Sequence, residues 1–127
     1  MAADKKKTVL IVDSEEEVVS AVTERLEKRG MNVIGAADGI QGLNMARSKS
    51  PDLILLEVLL PKLDGYHVCR LLKFDQRFRQ IPIIIVTAKR SERDEKVGLE
   101  AGADKFLSKP FKISQLLPLI DELIGSE

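Results

Sequence analysis

The chain contains no tryptophan, a single cysteine and a single histidine, and its basic and acidic side chains cancel at twenty each over 127 residues. Cys69 therefore has no partner for an internal disulfide. Its neighbours Val68, Leu71 and Leu72 place it at a helical core position, where packing outweighs reactivity. His67 has no second histidine or thiol with which to complete a metal site, and reads as a surface or half-buried helical residue. A zero net charge argues against a general nucleic-acid or membrane-surface role. Long apolar runs are missing as well: Leu53 to Leu56 and Ile81 to Thr87 are far too short to span a bilayer. Lys5, Lys6 and Lys7 precede no signal-type apolar core, so a cytoplasmic protein without membrane association is expected.

What is present is ordinary globular usage, 44% apolar and 31% charged. The length fits one domain over 1–127, with a core at about 8–125 and a flexible basic segment at 1–7. Short β-branched runs recur as "TVLIV" (8–12), "NVIGA" (32–36), "DLILLE" (52–57), "PIIIVT" (82–87) and "KFLS" (105–108). Between them lie segments of helical period, such as Val18, Val22 and Leu26, or Ile113, Leu116, Leu117, Ile120 and Ile124. Five βα units of this kind predict an α/β fold, a doubly wound parallel sheet with helices on both faces. Continuous hydrophobicity in "VLIV", "LILL" and "IIIV" marks central strands, leaving "NVIGA" and "KFLS" at the edges. Ser14 with Glu17 predicts a capping box for the first helix, Gly30 its end, and Ser91 with Asp94 the start of the fourth. Pro118 falls in about the first turn of the last helix, where it is mildly awkward.

In open parallel sheets the ligand crevice lies beyond the carboxyl ends of the strands. Here those ends carry Asp13 and Ser14, Glu57, Thr87 and Ala88, and Lys109 and Pro110. Two carboxylates, a hydroxyl and an amine are thus expected to converge.

The stretches "VLIVD", "PDLILLEVLLPKLDG", "IPIIIVTA" and "AGADKFLSKPF" follow one another in the order and on the elements found in CheY-like receiver domains of two-component response regulators, which the chain resembles over nearly its whole length. The resemblance implies a flavodoxin-like strand order 2-1-3-4-5. It also implies a phosphoacceptor aspartate at the end of the third strand, fed by a sensor kinase's phosphohistidine beside a magnesium ion. Position 57 is that place and holds Glu57. Asp13 matches the first of the family's two adjacent acids, and Ser14 replaces the second, a direct metal ligand. Thr87 matches the switch hydroxyl, Ala88 the small residue beside it, Phe106 the switch aromatic and Lys109 the phosphate-binding lysine. Pro110 matches the family's cis-proline, and the Leu59 carbonyl its backbone metal ligand.

Both departures point away from ordinary phosphoacceptor function. An extra methylene displaces the carboxylate by about 1 Å, an error that can cost roughly a hundredfold in rate. Ser14 removes a hard anionic ligand, so Asp13, Glu57 and the Leu59 carbonyl are expected to hold magnesium weakly or not at all. Asp64 reads as part of the "DG" turn before the third helix, and Glu15 to Glu17 as favourable charge at a helix start, with Glu15 turned inward as a lesser alternative. Glu57 either imitates the phosphorylated state, with Lys109 and Thr87 meeting its carboxylate, or forms a static ion pair with Lys109 that biases nothing. The fourth helix, with few apolar anchors and an interior Gly98, is expected to be weakly stable. Arg70, Lys73, Arg77 and Arg79 form a basic patch that reads first as a solvated face and second as a docking site.

The expectation is an atypical, non-enzymatic pseudo-receiver that signals by protein–protein contact with a sensor histidine kinase or a downstream signalling protein, without binding nucleic acid directly. The alternative is a phosphorylatable receiver whose native aspartate at 57 is replaced by glutamate in this chain. Flavin or nucleotide binding is disfavoured, since "VDSEEEV" after the first strand has no glycines.

Overall fold

The computed structural model describes residues 6–89 and 91–125, so residues 1–5 of the expected basic segment lie outside the described residues. Strands and helices alternate: β1 (Thr8–Val12), α1 (Glu16–Lys28), β2 (Asn32–Ala36), α2 (Gly39–Lys49), β3 (Leu53–Leu56), α3 (Gly65–Lys73), β4 (Ile83–Thr87), α4 (Glu92–Glu100), β5 (Lys105–Ser108) and α5 (Ile113–Ile124). The five strands form one sheet in the order β2-β1-β3-β4-β5, and each pairing is parallel. The three continuous apolar runs are the central strands, because a parallel sheet covered on both faces offers a strand no polar side.

Alternation along each strand divides the interior into two cores. Leu10, Val12, Ile54, Leu56, Ile83 and Ile85 face α2 and α3, where Leu43, Ala46, Val68, Cys69 and Leu72 cover them. Val9, Ile11, Leu53, Leu55, Ile84 and Val86 face α1 and α5, through Val22, Leu26, Leu116 and Ile120. Cys69 is buried as expected, and burial pushes its thiol up to about 12. Among the described residues no helix is long and apolar enough to cross a membrane.

The helix ends correct two expectations. Ser14 does not cap α1: the helix starts at Glu16 with Glu15 in the cap position and no side-chain cap bond. Asp13 is the reason, since its Oδ1 accepts from the Glu15 N–H at 2.9 Å and carries the chain one residue further before it coils. Pro118 lies inside α5, in its second turn rather than its first, while Leu116 and Ile120 on either side stay fully buried. Burial of that apolar face offsets the helix bond the proline cannot make. Elsewhere the caps follow the sequence. Gly30 leaves α1 with φ +85°, a left-handed conformation that glycine adopts without strain. Ser91 and Asp94 form the reciprocal capping box of α4.

Gly98 has a more specific role than weakening α4. A Cβ at this position would lie 2.1 Å from Phe106 Cζ, so the absence of a side chain lets the Phe106 ring slide under the helix. In an exposed helix Gly→Ala adds about 1 kcal/mol of stability, but at Gly98 the added methyl displaces the ring. We expect Gly98→Ala to cost about 1–3 kcal/mol in a denaturant melt, and Phe106→Leu in the same chain to recover most of the loss.

Candidate functional site

Four adjacent strands, β1, β3, β4 and β5, end side by side, and backbone bonds continue the ladder past the ends of three of them. Asp13 N–H donates to Ala36 O, Glu57 N–H to Val12 O and Lys109 N–H to Thr87 O, all at 3.0 Å. The strand register sets Val12 beside Leu56, and Leu56 beside Ile85, so the residues that follow share one rim. The sheet thereby delivers Asp13, Glu57, Thr87 and Lys109 to one place from positions up to 96 apart in sequence. Gly65 completes the frame. A Cβ there would lie 2.2 Å from the Glu57 carbonyl oxygen, so glycine is what allows the start of α3 to rest on the strand exit. Asp64 belongs to that turn: its side chain caps α3 through the His67 N–H and pairs with the exposed His67 ring at 2.6 Å.

Lys109 lies at the centre. Its ammonium is 2.7 Å from Asp13 Oδ2 and 2.9 Å from Glu57 Oε1, and it also bridges Glu15. Asp13, Glu57 and Thr87 are buried, the Lys109 side chain nearly so, and Glu15 reaches in from solvent with its side chain 61% exposed. The Glu57 carboxylate is bound on every side. Oε2 accepts from the Val58 N–H at 2.6 Å and the Leu59 N–H at 3.1 Å, while Lys109 meets Oε1. Burial pushes the Glu57 carboxyl up, but the bonds from Thr87, Lys109 and the Leu59 amide outweigh it and hold the group below its ordinary 4.5. For Lys109 burial acts downward, and the bonds to Asp13, Glu15 and Glu57 more than reverse it, so its ammonium titrates above the ordinary lysine range.

Carboxylate oxygens of Asp13, Glu15 and Glu57 lie within 4.8 Å of one another. An all-oxygen anionic set of this size fits a hard divalent cation such as magnesium. In the present arrangement the Lys109 ammonium supplies the compensating positive charge, and a cation binding there would share the carboxylates with it. Ser14 is exposed at the rim. Leu59 presents its N–H to Glu57, and its side chain is exposed. Ala88 follows Thr87 at the surface, and the Lys109–Pro110 peptide is cis, as the resemblance implied. Phe106 is half-buried beneath α4. Glu15 is the participant that the sequence favoured least. The signal was present in its position two residues after Asp13, where an Asp side-chain turn bends the chain back toward the strand ends.

Of the four basic residues grouped in the sequence, Lys73 is structural. It pairs with Asp104 at 2.8 Å, and donates to Ile81 O and Arg79 O at 2.7 and 3.1 Å. Tyr66 links α3 to α4 by donating to Asp94 O at 3.0 Å.

Residues 9–121 match the family model of the response regulator receiver domain. Among curated proteins, the chain is 47% identical over 105 residues to the alkaline phosphatase synthesis transcriptional regulatory protein PhoP of Bacillus subtilis, which covers 83% of this chain and 43% of that one. It is 38% identical over 116 residues to the DNA-binding dual master transcriptional regulator RpaA of Synechocystis, covering 91% of this chain and 48% of that one. The chain thus spans less than half the length of these two relatives. Among solved structures, a response regulator from Chloroflexus aurantiacus superposes with a TM-score of 0.89 at 31% identity, covering 95% of this chain and 99% of that one. The receiver domain of a sensor histidine kinase from Pseudomonas aeruginosa, which holds a magnesium ion coordinated in its active-site cleft, superposes at 0.86 with 33% identity, covering 96% and 100%. The 2-1-3-4-5 sheet, the acidic rim with its central lysine, and a family match over most of the chain agree: this protein belongs to the response regulator receiver domains of two-component signalling.

Proposed function

We propose that the chain is a non-enzymatic signalling module, one domain over 1–127, in which Glu57 stands at the family's phosphoacceptor position and imitates the occupied site instead of accepting a phosphoryl group. The observation that carries this reading is the engagement of the Glu57 carboxylate on both oxygens, by Lys109 at 2.9 Å on Oε1 and by the Val58 and Leu59 amides at 2.6 and 3.1 Å on Oε2. Lys109 is the group that the resemblance assigns to phosphate, and Thr87, its switch hydroxyl, adds to holding the carboxyl below its ordinary value. A static ion pair requires only Lys109; a phosphate-like anion also draws on the amide donors around it. Thr87 is on β4 and Phe106 on the adjacent β5, so the strand beside Glu57 pairs directly with the strand that carries the ring under Gly98.

In this reading magnesium is a weak ligand of Asp13, Glu15 and Glu57. When bound, it adds positive charge to the carboxylate cluster already neutralised in part by Lys109. The partner is a protein, either a sensor kinase or a downstream component. Any output segment belongs to the part of such proteins that the matched region does not span. A second reading rests on the preserved carboxylate cluster: a native aspartate at 57, replaced in this chain, would make the same pocket a phosphoacceptor. The encoding gene decides between the two.

The test is incubation with acetyl phosphate or phosphoramidate and magnesium, followed by intact-mass measurement. No phosphoryl adduct is expected, and a stable one on Glu57 would sink the proposal. For the imitation itself, Glu57→Gln keeps the size and removes the charge. Its amide spectrum is expected to change at Thr87, Phe106 and Gly98. A spectrum changed at Glu57 and Lys109 but not at Phe106 and Gly98 would reduce the pair to a filler.

A further inference from the structure

The far end of α3 carries a surface that the site does not use. α3 begins beside Glu57 and runs back along the sheet, so its last turn lies about 13 Å away along the helix axis, toward the amino ends of the strands. Phe74 there is 71% exposed and Leu71, one turn earlier on the same face, 43% exposed. The chain has four phenylalanines and one tyrosine, and the other four rings are buried or half-buried. Phe74 follows the helix as its C-cap, a position whose N–H bond to Arg70 O any residue with a main-chain amide can make. The fold therefore gains little from a phenylalanine here, while water contact with the ring is unfavourable.

Arginines frame the ring. The Arg70 guanidinium lies 5.8 Å from the Phe74 centroid, Arg77 stacks 5.0 Å over Phe78, and Arg47 comes across from α2. Together they line a shallow groove of about 830 Å³. Its one carboxylate, Asp75, is taken by Arg77 through Nε at 3.1 Å and a second guanidinium nitrogen at 2.8 Å. Arg47 adds a weaker electrostatic attraction to the same Asp75, and Arg70 stands over the Phe74 ring, so one carboxylate faces three guanidinium groups. In a chain of zero net charge the groove is thus a local cationic surface with an apolar centre. Exposed aromatic and arginine side chains around a central anchor are the composition of binding hot spots.

We propose that this groove docks an acidic segment of a partner protein, with an apolar side chain seated on Leu71 and Phe74 and carboxylates meeting Arg47 and Arg70. The charge pattern selects the occupant. A nucleic acid would find one of the groove's three arginines already paired with Asp75, and an overall neutral domain around it. A second copy of this chain would have to bring an acidic surface such as the start of α1, an unlike-patch contact that does not close into a dimer. The surface is separate from Glu57, so its use does not depend on the phosphorylation chemistry of the domain.

The experiment titrates isotope-labelled protein with a short synthetic peptide of glutamates interspersed with leucine and phenylalanine, and with the same peptide carrying lysine for glutamate. The acidic peptide is expected to shift the amides of Arg47 and of residues 70–77, with binding weakened by salt. Arg70→Glu and Phe74→Ser are each expected to weaken it about tenfold or more. Both positions are exposed, so both variants are expected to melt with the parent. Shifts centred elsewhere, affinity unchanged in both variants, or equal binding of the lysine peptide would overturn the proposal. So would preferential binding of single-stranded oligonucleotide or phosphatidylglycerol vesicles, or a Phe74-dependent self-association without peptide binding.

Discussion

Lys109→Met is expected to destabilise the domain by about 3–5 kcal/mol at neutral pH, the usual cost of removing one partner from a buried charge cluster. Methionine keeps much of the length and apolar stem of lysine but leaves Asp13 and Glu57 buried and facing each other without a cation. Glu15 contributes little to the figure because its side chain is exposed and hydrated. The pH dependence separates this cause from a packing defect. Glu57 is held below 4.5 in the folded chain, so its contribution is present above that value and is lost as pH falls through its lower folded value. Lys109 is held above 10.5, so its contribution is complete below that value and is lost as pH rises through its higher folded value. The parent should therefore show a plateau between about pH 5 and 10 from this cluster. The variant should instead gain on the parent as pH falls, because protonating one of two uncompensated carboxylates relieves their repulsion. Urea unfolding of both proteins across that range checks the point, and a gap that stays constant with pH would assign the loss to packing. If the variant does not fold at neutral pH, Lys109→Met with Glu57→Gln is expected to recover a measurable part of the stability, since the two sites are in direct contact.

Glu57→Asp is expected to turn the site into a phosphoryl acceptor. The shorter side chain withdraws the carboxylate by about 1 Å, a displacement that can change a reaction rate roughly a hundredfold. The withdrawal leaves the place now filled by the glutamate head, between Lys109, Thr87 and the Val58 and Leu59 amides, open to a phosphoryl group's oxygens. With acetyl phosphate and magnesium, the variant is expected to gain one phosphoryl group by intact mass while the parent does not. Restoring a carboxylate with Ser14→Asp in the same chain should lower the magnesium concentration required, because a further hard oxygen ligand is supplied. Equal adduct formation by parent and variant would show that side-chain reach does not control the chemistry. An unmodified variant with unchanged melting would show that the pocket lacks more than reach.

The two predictions concern neighbouring residues that were legible in sequence to different degrees. Glu57 announced itself as a carboxylate at the end of an apolar run, followed by a Pro/Gly-punctuated loop. Lys109 sits in a short edge-strand motif, and its importance came through the resemblance rather than through periodicity. The strands were readable because burial on both faces of a parallel sheet leaves continuous runs such as "IIIV". The start of α1 differs from the sequence expectation because Ser14 and Glu17 have capping-box spacing, while Asp13, one residue earlier, makes the bond that sets the turn. Gly98 looked like a weak point in a helix for a similar reason. Propensity is a property of one segment, and the Phe106 ring that requires the glycine comes from another.

The alternation of strands and helices, the central and edge strands, the resemblance to receiver domains and the residues at the strand ends are all written in the linear chain. These follow from hydrophobic period and local turn chemistry, which act over a few residues. The tertiary structure decided which charges meet. It brought Lys109 onto Asp13, Glu15 and Glu57 at once, set the Val58 and Leu59 amides on the Glu57 carboxylate, committed Lys73 to Asp104, and left Phe74 with Arg47 and Arg70 on the surface. Such pairings depend on sheet register and helix placement over separations of up to 96 residues, and no local pattern encodes a distance of that kind.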